Sequence, residues 1–212
     1  MVGFFGKLFG AGKSNETRRL THPCELRKGD FVKFGIVPQP EVSGQTFEVY
    51  KVNTYSYGSI DYPEMILKDS VGNIIFMMIE EEDGEEYVAL SKKVPKAQIR
   101  EILPQEALDW IFEKGTGTQW GLDKKVVPEG FSRWVAAKYT ETDEEQGRFS
   151  KGDARAEQAG GDELFKSYTL TDPSDEYALE LEVYGQNEVE LSTTVYHDIS
   201  VIEEILPGSL DE

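Results

Sequence analysis

The chain holds one cysteine, Cys24, in 212 residues, only two histidines, and no apolar run longer than Ile74 to Ile79. A single cysteine cannot form an internal disulfide, so a reducing compartment is the simplest fit. Six apolar residues are far too few to span a bilayer. The segment Met1 to Lys13 lacks the order of charged, unbroken apolar and small residues that marks a signal peptide, so the chain is expected in the cytoplasm. Basic residues are also scarce: 22 Lys and Arg against 40 Asp and Glu leave a net charge of −18. Such a surface repels phosphate backbones, and nucleic acid is not an expected partner.

Catalytic signatures are missing as well. There is no Gly-x-Ser-x-Gly, and only His22 and His197 are available as an imidazole base. His22 and Cys24, on either side of Pro23, supply two metal ligands where a site needs more. The acidic run Glu80 to Glu86 lacks the spaced Asp and Asn of a calcium loop and reads as a solvated turn. Phe9-Gly10-Ala11-Gly12-Lys13-Ser14 has the ending of a phosphate-binding loop, but Lys7 stands where that loop requires glycine. No metal or cofactor is therefore expected, no catalytic residue can be named, and the balance leans away from an enzyme.

What is present is enough for a core, with 39% hydrophobic and 11% aromatic residues. The charge is unevenly spread. Residues 1–28 hold six basic and two acidic side chains, +4, and residues 29–212 hold 16 and 38, −22. The apolar residues of the leader fall at spacings that share one helix face. Phe4, Phe5, Leu8 and Phe9 beside Lys7 and Lys13 suit an anionic membrane interface, and equally suit docking on the protein's own core or on a sister subunit.

The strongest organisational signal is an internal duplication. Residues 64–104 align without a gap on residues 167–207 at an offset of 103, and Glu101-Ile102-Leu103-Pro104 is repeated as Glu204-Ile205-Leu206-Pro207. Turn residues at 69–73 and 81–84, and again at 172–175 and 185–187, divide each copy into a three-stranded meander. Tyr177, Leu179, Leu181 and Val183 alternate with Ala178, Glu180, Glu182 and Tyr184, the period of a sheet with one buried and one wet face. Each copy closes on an apolar stripe that fits a helix or a short edge strand, with Asp198 as a cap in the second.

Upstream, Phe47, Tyr50 and Tyr55 align with Phe131, Trp134 and Tyr139 at an offset of 84, so the second copy gains 103 − 84 = 19 residues. They fall in 140–162, a polar stretch read as a mobile or a functional loop. Gln105 to Lys114, stopped at Gly115, is the clearest helix.

The expected architecture is mainly β with minor α: two tandem antiparallel units, each a meander, small barrel or sandwich, joined by a connecting helix. The parts are a basic amphipathic segment 1–22, a first repeat 23–104, a helical connector 105–125, a second repeat 126–207 with its inserted loop 140–162, and a tail 208–212.

Gly29-Asp30-Phe31-Val32, with the later element Tyr62-Pro63-Glu64-Met65-Ile66-Leu67-Lys68-Asp69, Gly72 and Glu80, resembles a bacterial family of uncharacterised domains that begin with Gly-Asp-x-Val. Members are often encoded near phage-shock-type membrane-stress proteins. The resemblance covers Leu26 to Val94 and implies a partner context with no catalytic residue.

The leading expectation is a non-enzymatic interaction module that binds a protein partner, peripheral at the inner membrane through its N-terminus and open to homo-oligomerisation. The alternative is a small-molecule-binding or hydrolytic domain with a cleft between the repeats, lined by Trp134, Tyr139, Tyr50 and Tyr55.

Overall fold

A computed structural model describes residues 18–123, 126–156, 160–185 and 188–208. Its eleven strands form one antiparallel sheet. They are β1 (Phe31–Phe34), β2 (Thr46–Tyr57), β3 (Ile60–Lys68), β4 (Ile74–Glu82), β5 (Glu85–Lys93), β6 (Gln119–Gly121), β7 (Lys138–Lys151), β8 (Gly160–Thr171), β9 (Tyr177–Tyr184), β10 (Glu188–Asp198) and β11 (Ile202–Leu206). Two short helices, α1 (Ile99–Ile102) and α2 (Gln105–Lys114), lie between β5 and β6. The mainly β class is what the structure shows.

The sheet closes on itself. Its order is β11-β1-β2-β3-β4-β5-β10-β9-β8-β7-β6, and an additional pairing joins β2 to β7. Strands β2, β3, β4, β5, β10, β9, β8 and β7 therefore make an eight-membered ring, to which β1 with β11, and β6, are appended. The two copies meet at both seams through corresponding strands, β5 against β10 and β2 against β7.

The ladders correct the upstream alignment. In β2 the pairing to β3 skips Tyr50, between Val49 opposite Leu67 and Lys51 opposite Ile66. In β7 the pairing to β8 skips Thr142, between Glu141 opposite Leu170 and Asp143 opposite Thr169. Since 66 and 67 become 169 and 170 at an offset of 103, β7 corresponds to β2 at 142 − 50 = 92, and not at 84. Tyr139 is the counterpart of Phe47, and the second copy gains 103 − 92 = 11 residues. They lengthen the β7–β8 hairpin. The segment expected as a loop over 140–162 is largely strand, because the ladder to β8 satisfies its backbone in spite of a polar sequence. The connector 105–125 likewise contains a strand, β6, as well as its helix.

One face of the ring carries the apolar core. Val49, Met65, Leu67, Met77, Leu90, Leu170, Leu179, Leu181 and Leu191 pack with Ile102, Leu108, Ile111 and Trp134 from the helices and loops. The repeated closing segment adopts two structures: Ile99-Arg100-Glu101-Ile102 is the helix α1, whereas Ile202-Glu203-Glu204-Ile205 is the strand β11, pairing with β1. Local pattern permits both, and the free edge of β1 decides the second. Asp198 does cap the short helical turn before β11, accepting from Ser200 N at 2.8 Å.

Gly29-Asp30-Phe31-Val32 has a physical role. Gly29 takes a left-handed φ of +90°, and Val32 is fully buried. Asp30, 2% exposed, accepts hydrogen bonds from Arg27 N (2.7 Å), Gly208 N (2.9 Å) and the guanidinium of Arg18. One carboxylate ties the start of the described chain to its end.

Candidate functional site

Side chains alternate across a strand, so residues two apart share a face. On the ring, the face opposite the apolar core lines a cavity of about 1430 Å³ to which all eight ring strands contribute. Tyr55 and Tyr57 come from β2, Glu64 from β3, Glu80 from β4, Ser91 from β5, Tyr196 from β10, Glu180 and Glu182 from β9, Ser167 from β8 and Glu145 from β7. This is the face of Glu180 and Glu182 that alternation marks as wet; it lines a partly open hollow between the two copies.

At the centre stands an aromatic cluster. Tyr55, Phe165 and Tyr184 are buried, with Tyr57, Tyr62 and Phe149 against them. The rings meet edge to face: Tyr55 is 5.2 Å from Phe149 and 5.5 Å from Phe165, and Tyr57 is 5.8 Å from Phe165. Such pairs add about 0.5–1.5 kcal/mol each beyond the area they bury. Gly147 makes room, because a Cβ there would lie 2.5 Å from Phe165 Cζ.

Carboxylates surround this cluster. Glu182 accepts from the hydroxyls of Tyr184 (2.6 Å) and Tyr55 (3.3 Å), and Glu64, 6% exposed, accepts from Asn53 Nδ2 at 2.9 Å. Burial dominates their titration and favours the neutral acid. It pushes Glu64 up to about 7 and, together with the charges of Glu80 and Glu182, Glu180 up to about 8. Glu80 and Glu182 are raised for the same first reason. Lys93, whose ammonium lies 2.6 Å from Glu190, is the cation that tempers Glu64 and Glu182. No Lys or Arg is among the described residues lining the cavity.

Of the expected cleft residues, only Tyr55 lines the cavity. Trp134 and Tyr139 belong to the apolar core, where Trp134 Nε1 donates to Glu41 Oε1 at 2.7 Å and the Tyr139 hydroxyl accepts from Ala136 N at 2.6 Å. Tyr50 is the bulged residue of β2, on the outer surface beneath Lys51 and Lys68, each 5.1 Å from its ring. Phe4, Phe5, Lys7, Leu8, Phe9 and Lys13 lie outside the described residues. His22 caps the turn Pro23–Glu25, receiving Cys24 N on Nδ1 at 3.2 Å, while its Nε2 lies 3.0 Å from Glu86. Among the described residues no group of three potential ligands gathers to hold a metal. No described helix is long and apolar enough to cross a membrane.

Sequence reasoning missed Glu64, Glu80, Glu180 and Glu182 because acids on a strand's non-core face read as solvated. The available signal was that the same face also carries Tyr57, Tyr62, Tyr184 and Tyr196, which a merely wet face does not need. Comparison with protein-family models, with curated proteins and with solved structures gives no match.

Proposed function

We propose that the protein is a non-enzymatic binding module whose ligand is a small organic cation bearing several amino groups, held in the cavity between the two copies. The observation that carries this reading is the convergence of Glu64, Glu80, Glu180 and Glu182 on a tyrosine-walled hollow with no Lys or Arg among its described lining residues. An ammonium group there gains charge-assisted hydrogen bonds from the carboxylates and attraction to the ring faces. The volume, about 1430 Å³, exceeds the usual range of roughly 300–1,000 Å³ for small-molecule sites and suits an extended ligand.

Glu64 and Glu180 hold protons near neutrality in the free protein, so a cation that needs them ionised must displace those protons. Affinity therefore rises with pH through about 7 to 8, and binding releases protons. Calorimetric titration of the full chain with spermidine, in two buffers of different ionisation enthalpy, tests this. The expected result is tighter binding at pH 8.5 than at pH 6, with protons released, and at least tenfold weakening in Glu64→Gln/Glu180→Gln. Absence of binding at both pH values, or affinity unchanged in the double variant, refutes it. Binding of a lysine-rich peptide in preference to spermidine replaces the small cation with a protein partner.

A further inference from the structure

We propose that the opposite mouth of the ring is a binding site for a phosphate group. Along β2, Tyr55 and Tyr57 line the acidic cavity, while Lys51 and Asn53, on the same face, line a second hollow of about 710 Å³. The same succession holds along β7, from Glu145 in the first to Phe149 and Lys151 in the second, and along β3, from Glu64 to Ile66. The aromatic cluster separates the two.

The second hollow is basic, in a chain with 40 acids and 22 bases. Arg27, Lys28, Lys51 and Lys151 line it. Among the described residues none of the four forms an ion pair, whereas Lys33, Lys92, Lys93 and Lys166 each meet a carboxylate within 3 Å. The one acid in the lining, Asp153, is already neutralised. Arg155 grips it with both Nε and Nη2 at 2.8 Å, and is itself anchored to Leu26 O at 2.8 Å. Burial works against the Asp153 charge, and this clamp, with a smaller contribution from the charge of Arg27, holds its pKa below the usual carboxylate value.

The ladder fixes how the cations converge. Lys151 stands directly opposite Asn53, and Lys51 is two residues along the same face, so the two side chains leave the sheet as diagonal neighbours roughly 7–8 Å apart at their bases, with the Lys51 ammonium resting over the Tyr50 ring. Like charges so placed repel, and no described carboxylate forms an ion pair with either ammonium. A phosphate supplies one, bridging two ammonium groups and taking the fork of Arg27 on adjacent oxygens. Phe149 and Ile66 give an apolar wall for the organic part of a phosphate ester. A soluble phosphate ester and a phospholipid headgroup share this chemistry.

The inference rests on residues separate from the acidic cavity and is tested separately. The full chain is titrated with pyrophosphate and with glycerol 3-phosphate by calorimetry, and sedimented with vesicles of phosphatidylglycerol in phosphatidylcholine. The variants are Lys51→Gln/Lys151→Gln and, as a control away from the hollow, Lys33→Gln. The expected result is binding of at least one probe, weakened tenfold or more by the double substitution and unchanged by the control. Soluble probes alone identify a metabolite site. Vesicle binding that survives removal of residues 1–17, yet is lost in the double variant, identifies a headgroup site. Binding of no probe, or binding insensitive to Lys51 and Lys151, overturns the proposal.

Discussion

Ser91 and Thr194 are the same position in the two copies, 194 − 91 = 103, and they stand directly opposite each other on β5 and β10 with their hydroxyl oxygens 2.8 Å apart. The local twofold axis runs between them. At the other seam Ser56 opposes Arg148, and 148 − 56 = 92 is the offset that the matched bulges set for β2 and β7. One rotation accounts for both seams. The pair is a hydroxyl bond at the symmetry centre, with Thr194 fully buried. Thr194→Val leaves Ser91 without this partner and should cost about 1–2 kcal/mol, while adding Ser91→Ala should recover part of the loss. Urea unfolding of the two single variants and the double variant measures the cycle; strict additivity would remove the coupling.

Stability should rise as the solution is acidified from pH 8 to about pH 5. The sign follows from Glu64 and Glu180, whose folded pKa values of about 7 and about 8 lie above the ordinary 4.5. The folded state binds their protons more tightly than the unfolded chain does, so their contribution is complete below about 4.5 and is lost as pH rises through 7 and 8. Glu41, Asp69, Asp153 and Asp198 are shifted down and act in the opposite sense only at lower pH, and His197, whose pKa burial lowers from the ordinary 6.5, opposes part of the gain below about 6.5. Thermal unfolding across this range, with Glu64→Gln/Glu180→Gln showing a flatter profile than the parent, is the check.

Gly147→Ala places a methyl group within 3.0 Å of Phe165 and Tyr57. Either the rings move or the strand does, at a cost of about 1–3 kcal/mol. Near-ultraviolet circular dichroism should lose intensity, because Tyr55, Tyr57, Phe149 and Phe165 pack as one group. An unchanged spectrum with unchanged stability would show that the cluster is looser than these contacts imply.

Asp30→Ala removes the acceptor for Arg18, Arg27 N and Gly208 N together. Loss of a buried charged acceptor with several donors should cost about 2–4 kcal/mol. Hydrogen exchange is expected to accelerate first at β1 and β11, whose pairing lies beside this carboxylate. Uniform acceleration over all strands would place the effect in global stability instead.

Much of the fold was legible in the sequence, and the reasons differ by element. Strand β9 has the bounds its alternation marks, although Ala178 and Tyr184 on the face expected to be wet are buried, and α2 follows its periodicity and Gly115. Strand β7 escaped because Thr140 to Gln146 has neither an apolar face nor a helical stripe, and only its partners reveal it. The closing segments at 99–102 and 202–206 were open to helix or strand, and long-range pairing with β1 separated them. The two mouths were illegible for a related cause. Arg27, Lys51 and Lys151 are scattered over more than a hundred residues and become a patch only when β2 meets β7.

The symmetry has a consequence for how such a molecule arises. A rotation that superposes β5 on the antiparallel β10 reverses the strand direction, and so exchanges the two ends of the ring. Lys51 at the basic mouth is thereby the counterpart of Asp143 at the acidic one, and Asn53 of Glu145, at 143 − 51 = 145 − 53 = 92. A symmetric dimer of identical chains would be obliged to carry the same charge at both ends. Fusing the two copies into one polypeptide lets each diverge alone, and a polar body, acidic at one mouth and basic at the other, becomes available to evolution by substitutions at equivalent positions.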